Sequence, residues 1–158
     1  MKIFVINPGS TSTKLALYDG MNPVWAESVY HPLAELAQFS RVNEQLEYRK
    51  QHVYSTLQKE NIPLDFDVVI ARGGLLKPTP GGVYRITERI KSDLWNASME
   101  HVSNLAALIA DDIAQRIGCP SFIADPVVTD ELQDVARLTG VEGHICTVVH
   151  FSTLLPAP

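Results

Sequence analysis

Cysteine is scarce in this chain: Cys119 and Cys146 are the only two in 158 residues, they form no Cys-x-x-Cys pair, and no histidine stands at zinc-ligand spacing from them. A local zinc site and a disulfide scaffold are thereby excluded, and both side chains are read as reduced thiols. Basic charge is also in deficit, with 13 Lys and Arg against 18 Asp and Glu and a formal net charge of -5. No basic stripe exists to hold a polyanion, which argues against a nucleic-acid partner. No segment approaches the ~20 apolar residues of a membrane span, so no membrane partner is expected, and the amino terminus lacks the charged flank and apolar core of a signal peptide. These absences predict a cytoplasmic protein. Repeats and low-complexity tracts are missing too. What is present, 46% hydrophobic and 20% charged residues, fits one globular domain able to bury a core without covalent staples.

Along the chain, Lys2 to Ile6 reads as a buried strand, Thr13 to Tyr18 as its continuation through a hairpin, and Val24 to Tyr30 as a third strand after the Asp19-Gly20 turn. The opening is therefore an antiparallel meander. Apolar residues at Phe39, Val42, Leu46, Val53 and Leu57 recur on one helical face, and Pro63 closes that element. Asp67 to Ala71 is a buried strand that delivers Arg72 at its carboxyl end, followed by a loop from Gly73 to Gly82. Thr87 has the character of an N-cap for a helix to about Met99, and a second helix carries Leu105, Leu108, Ile109, Ile113 and Ile117 before Gly118 and Pro120. Ser121 to Ala124 forms a last strand ending at Asp125. Thr129 is expected to cap a further helix with an acidic first turn.

The chemistry concentrates at strand ends. Ile6-Asn7-Pro8-Gly9-Ser10-Thr11-Ser12-Thr13-Lys14 places an amide, a glycine, four hydroxyls and a lysine in one turn. Glycine lets backbone N–H groups approach an anion, and the polar side chains add donors, which is phosphate-handling chemistry. It is not a Walker loop, because Thr13 precedes the lysine and a strand follows it. Thr11 and Thr13 are accounted for by strand preference. Arg72 offers paired donors in a fixed plane, suited to a carboxylate or a phosphoryl oxygen, with a structural ion pair as its competing role. Gly73 and Gly74 are read as letting the backbone approach a substrate, and Gly81-Gly82 as doing likewise or turning the loop. His31, His52, His144 and His150 have no such context and are expected at the surface.

Three segments, Ile6 to Lys14, Arg72 to Gly82 and Ile123 to Leu132 with Asp134-Val135-Ala136-Arg137 behind it, resemble the butyrate kinases in family order. With acetate kinase, these belong to the sugar kinase, Hsp70 and actin superfamily. The resemblance implies an α/β ribonuclease H-like (actin-like ATPase) half-domain with a mixed five-stranded sheet and helices on both faces. It covers residues 1–140. Residues 141–158 are read as a tail that diverges from the family pattern, and the resemblance leads to the expectation that the second, nucleotide-binding domain of such kinases is absent.

The resemblance also assigns roles. Asn7, Gly9, Ser10, Ser12 and Lys14 correspond to the hairpin against the ATP phosphates, with Asn7 reaching the phosphoryl group or its metal. Arg72 with Gly73 and Gly74 corresponds to the substrate segment, and Asp125 to the acidic residue that organises Mg2+. Arg72, Asp125 and His101 form the catalytic set, His101 through its likeness to a His-Ala-Ser-Asn-Leu segment near the acyl site. Competing roles are an Asx turn for Asn7, a solvated lysine at Lys14, a helix cap for Asp125 and a structural histidine at 101. The implied activity is transfer of the γ-phosphoryl of ATP to a short-chain carboxylate such as butyrate. The alternative is a non-enzymatic remnant. A sugar kinase, which needs an aspartate base, fits the Arg72 segment less well. Residues Ile145, Val148, Val149, Phe151, Leu154 and Leu155 are more apolar than a solvated terminus requires, and predict docking of the tail or self-association.

Overall fold

The structure, a computed structural model, describes residues 1–129 together with 133 and 135. The helix expected after Thr129 and the apolar tail lie outside the described residues.

Strands β1 (Lys2–Pro8), β2 (Ser12–Asp19) and β3 (Asn22–Tyr30) form the expected antiparallel meander. A short helix α1 (Leu33–Leu36) and a 3-10 turn (Val42–Glu44) precede α2 (Gln45–Lys59). The single helical face expected from Phe39 onward is thus broken. The reason is Glu44, whose Oε2 accepts from the Ser40 and Arg41 amides at 2.9 and 3.2 Å and fixes a start just before α2. Strand β4 (Val68–Arg72) runs parallel to β1 and to β6 (Ser121–Ala124).

The sheet has six strands in the order β3-β2-β1-β4-β6-β5, one more than expected. The addition is β5 (Val83–Arg85), antiparallel to β6 at the edge. Three residues are too few to show the two-residue alternation by which a strand is read from sequence. Helix α3 (Glu88–Trp95) starts at Thr87 as expected, with Oγ1 accepting from the Ile90 amide, but stops short of Met99. Helix α4 (Leu105–Ile117) ends at Gly118, whose φ of 76° is the left-handed cap predicted for it.

Strand alternation separates two faces. Phe4, Ile6, Leu15, Val69, Ala71 and Ile123 are buried beneath α2 and α4, with Ile109, Ile113 and four α4 alanines completing that layer. Alanine's short side chain lets α4 lie close over β1, β4 and β6. The described helices α2, α3 and α4 all pack on this side. The opposite face presents Ile3, Val5, Ile70 and Phe122 half-buried, and at its carboxyl rim carries Asn7 and Arg72. No described helix is long and apolar enough to cross a membrane.

Candidate functional site

Parallel pairing of β1, β4 and β6 brings three carboxyl ends to one rim. Ile6 pairs with Ala71 and Arg72 with Ala124, so Asn7, Arg72 and Asp125 follow one another across adjacent strands. Asn7 pairs in turn with Lys14, and Lys14 with Ser28. Residues in register on neighbouring strands share a face, which puts Ser28, Lys14, Asn7 and Arg72 in one row on the open side. A cleft of about 340 Å³ follows this row, lined among others by Val5, Asn7, Lys14, Glu27, Ser28 and Arg72. Neither Lys14 nor Arg72 forms an ion pair among the described residues. With strands roughly 4.8 Å apart, their backbones stand about 10 Å from each other on either side of Asn7. Two exposed cations flanking an amide can hold two anionic groups side by side. A second cleft of about 420 Å³, lined among others by Leu75, Leu76, Met99 and Val128, contains none of the candidate residues.

The hairpin is closed by the Gly9 amide donating to the Ser12 carbonyl at 2.6 Å, which leaves Ser10 and Thr11 exposed at its tip. Beneath it lies Arg49 of α2, fully buried, whose Nη1 donates to the Gly9 carbonyl (3.1 Å) and Thr13 Oγ1 (3.2 Å) and whose Nη2 donates to the Ser10 carbonyl (3.0 Å). Its Nε donates to Gln45 Oε1 at 3.1 Å. Burial draws the Arg49 pKa down to about 10, so the group is charged at neutral pH. Thr13 is completely buried, and its hydroxyl also meets His31 Nε2 at 2.9 Å. This corrects two expectations. Thr13 is more than a strand former, and His31, expected at the surface, is 2% exposed, packed against Tyr48 and His52.

The Arg72 segment is held from behind by the turn that begins at His101. The Gly74 amide donates to Ser103 Oγ (3.1 Å) and the Leu75 amide to Asn104 Oδ1 (2.8 Å). His101 caps this turn, its Nδ1 accepting from the Ser103 amide at 3.2 Å and standing 2.6 Å from Ser103 Oγ. Because Nδ1 accepts from the Ser103 amide it carries no hydrogen, so in the short contact Ser103 Oγ–H is the donor. The neutral ring then carries its hydrogen on Nε2. Glu100 ties this turn to the start of α2, accepting from the Val42 amide (2.9 Å) and Arg41 Nε (2.6 Å). Gly73 and Gly74 are buried, and their close neighbours are Ser103, Leu94 and Ile123.

Asp125 sits at the end of β6 with φ of 42°, a left-handed conformation that aspartate tolerates better than most residues. Gly82 fixes it by two bonds: the Gly82 amide donates to Asp125 Oδ1 at 3.2 Å, and the Asp125 amide donates to the Gly82 carbonyl at 3.0 Å. The side chain is exposed at the rim and no described helix starts there. Among the described residues no cluster of three or more His, Cys, Asp or Glu could form a protein-only metal cage.

A mixed parallel and antiparallel sheet that opens on an antiparallel meander and is covered by helices has the α/β ribonuclease H-like (actin-like) half-domain fold. The crystal structure of Porphyromonas gingivalis acetate kinase has this fold too, with a TM-score of 0.53 at 12% identity over 89% of this chain and 41% of that one. No protein-family profile matches the chain. Over 141 residues it is 63% identical to a probable butyrate kinase of Phocaeicola vulgatus and 50% identical to one of Bacteroides thetaiotaomicron, each alignment covering 89% of the chain. The aligned residues belong to the butyrate kinase family, and the chain spans about 40% of the length of these curated relatives.

Proposed function

We propose that this chain is the part of a butyrate kinase-type phosphotransferase that holds the carboxylate and the transferring phosphoryl group. The observation that carries this reading is the single row Lys14, Asn7, Arg72 on the open face, with the Ser10–Thr11 tip above it and Asp125 on the adjoining strand end. In the reaction a carboxylate oxygen of a short-chain acid, butyrate by family, bonds to the γ-phosphorus of ATP, and the bond from that phosphorus to the ADP oxygen breaks. The carboxylate is already ionised at neutral pH, so no base is required. Alignment of two anions and charge compensation supply the acceleration.

Arg72 binds the carboxylate and shares the phosphoryl charge, its backbone set by Gly73 and Gly74. Asn7, Gly9, Ser10, Ser12 and Lys14 take the phosphate side, and His101 positions the Arg72 loop through Ser103. Mg2+, which would shield the phosphate charge, fits Asp125: this cation typically takes one or two carboxylates and completes its shell with water and phosphate oxygens. Asn7 and Asp125 lie two strands apart, about 10 Å at the backbone, so Asn7 would join such an ion through its water shell. The cytoplasm, where ATP is held, is the compartment this reading assigns.

The test is titration of the 15N-labelled chain with butyrate and, separately, with Mg-ATP. Amide shifts at residues 72–75 are expected with the acid and at residues 7–14 with the nucleotide. No response at either segment at millimolar ligand would overturn the reading.

A further inference from the structure

We propose that Arg49 is a positioning residue for the anion site: its buried charge, set beneath the hairpin, turns the Ser10 and Thr11 amides outward and makes them a positive receptor for phosphoryl oxygens. The inference rests on the phosphate reading of the hairpin and extends it to a residue of α2.

The chain has no cis peptide among its described residues. In a trans peptide the carbonyl and the following N–H point in opposite directions. Arg49 gathers the Gly9 and Ser10 carbonyls inward at 3.1 and 3.0 Å, so the N–H groups of Ser10 and Thr11 must face away from it. Neither amide donates to any described residue, whereas the amides on both sides of the pair are engaged or lie in strands. Two consecutive unclaimed N–H groups at an exposed tip form a small anion cradle.

The charge itself is the second observation. Arg49 is 0% exposed and no carboxylate lies within ion-pair distance of it among the described residues. Burying an unpaired cation is costly, and hydrogen bonding alone could be met by an amide side chain. A guanidinium behind the turn does what an amide cannot. It polarises the two peptides along their length and sends positive potential through a low-dielectric layer to the tip. An arriving phosphate then supplies the missing counter-charge. The position is protected from competing partners because Gln45 fixes Nε and Thr13, braced by His31, fixes Nη1.

The experiment uses the 158-residue chain, 15N-labelled, titrated with inorganic pyrophosphate, as wild type, Arg49→Gln and Arg49→Lys, with circular dichroism to confirm folding. Downfield movement of the Ser10 and Thr11 amide protons is expected in the wild type, with affinity at least tenfold weaker in Arg49→Gln and intermediate in Arg49→Lys, where charge persists without the fork. Wild-type affinity in a folded Arg49→Gln would overturn the role of Arg49 and leave the phosphate hairpin standing. A wild type whose Ser10 and Thr11 amides ignore pyrophosphate would overturn the hairpin reading and this inference with it. Should the glutamine variant not fold, the Arg49 Nε–H signal of the wild type decides: a shift on saturation supports the proposal, and an unmoved signal defeats it.

Discussion

Gly73 and Ser103 approach so closely that a Cβ on Gly73 would stand 2.7 Å from the Ser103 Cβ. The backbone there also has φ of 96°, which side chains rarely adopt. Neither strain can be relieved by a rotamer change, since Ser103 Cβ is fixed to a 3-10 turn. Gly73→Ala is expected to cost more than about 2 kcal/mol, combining left-handed strain with overpacking. Gly74 has φ of 110° and carries the same backbone strain, but its nearest atom is Leu94 Cδ2 at 3.0 Å, the far end of a side chain and not a Cβ, so Gly74→Ala should cost less. Urea unfolding of both variants checks the order, and equal midpoints would contradict it.

Arg72 lies at the exposed end of β4, and its removal should leave the fold intact. Arg72→Ala is expected to change stability by less than about 0.5 kcal/mol, as for surface substitutions without buried partners. It should nevertheless abolish the butyrate-induced amide shifts. Arg72→Lys retains charge without the planar fork and is expected to recover only part of the response. A large drop in melting temperature for Arg72→Ala would assign the residue a structural role instead.

The Asp125 carboxylate accepts from the Gly82 amide, and substitution can separate that bond from the Mg2+ role proposed for it. Asparagine keeps an oxygen for the Gly82 amide and tolerates φ of 42°, whereas alanine does neither. Asp125→Asn should therefore match the wild type in stability while losing Mg2+-dependent effects on nucleotide binding, and Asp125→Ala should lose both. The measurement is nucleotide titration with and without Mg2+ beside thermal unfolding. Unchanged Mg2+ dependence in Asp125→Asn would remove the metal role.

Much of the rim was legible because strand ends are simple objects. A buried run ending in Arg72, another ending at Asp125 and a hairpin at Asn7 need only parallel pairing to meet, and β1, β4 and β6 provide it. Strand β5 was illegible for want of length. Arg49 was missed although a signal existed: it stands four residues before Val53 and eight before Leu57, on the same buried stripe. A charged residue in an apolar position marks a buried partner. His31 carried no such mark, because it follows β3 where no helical or strand period applies, and its burial comes from α2 folding back over it. Gly73 and Gly74 are read from sequence as an approach to a substrate, whereas the approach the fold shows is to Ser103, thirty residues away, and to Leu94 and Ile123.

The arrangement of His31 predicts a pH dependence of stability. Burial, then the charge of Arg49 and then His52 push its pKa down from 6.5 to about 4, against a smaller opposing pull from Glu35. Its Nδ1 is buried without a hydrogen-bond partner among the described residues, so the neutral ring is the form the fold accommodates. Between pH 6.5 and about 4 the unfolded chain binds a proton that the folded chain does not. The unfolded state then gains as pH falls, so stability declines through that window and recovers above it. A depression of this size corresponds to roughly 3 kcal/mol across the whole interval. His31→Phe preserves a ring against Tyr48 and His52 while losing the bond to Thr13, so it should be less stable at neutral pH yet lose less on acidification. Urea midpoints at neutral pH and near pH 4 for both proteins provide the comparison. Parallel declines would show that carboxylates elsewhere, and not His31, set the acid limit of the fold.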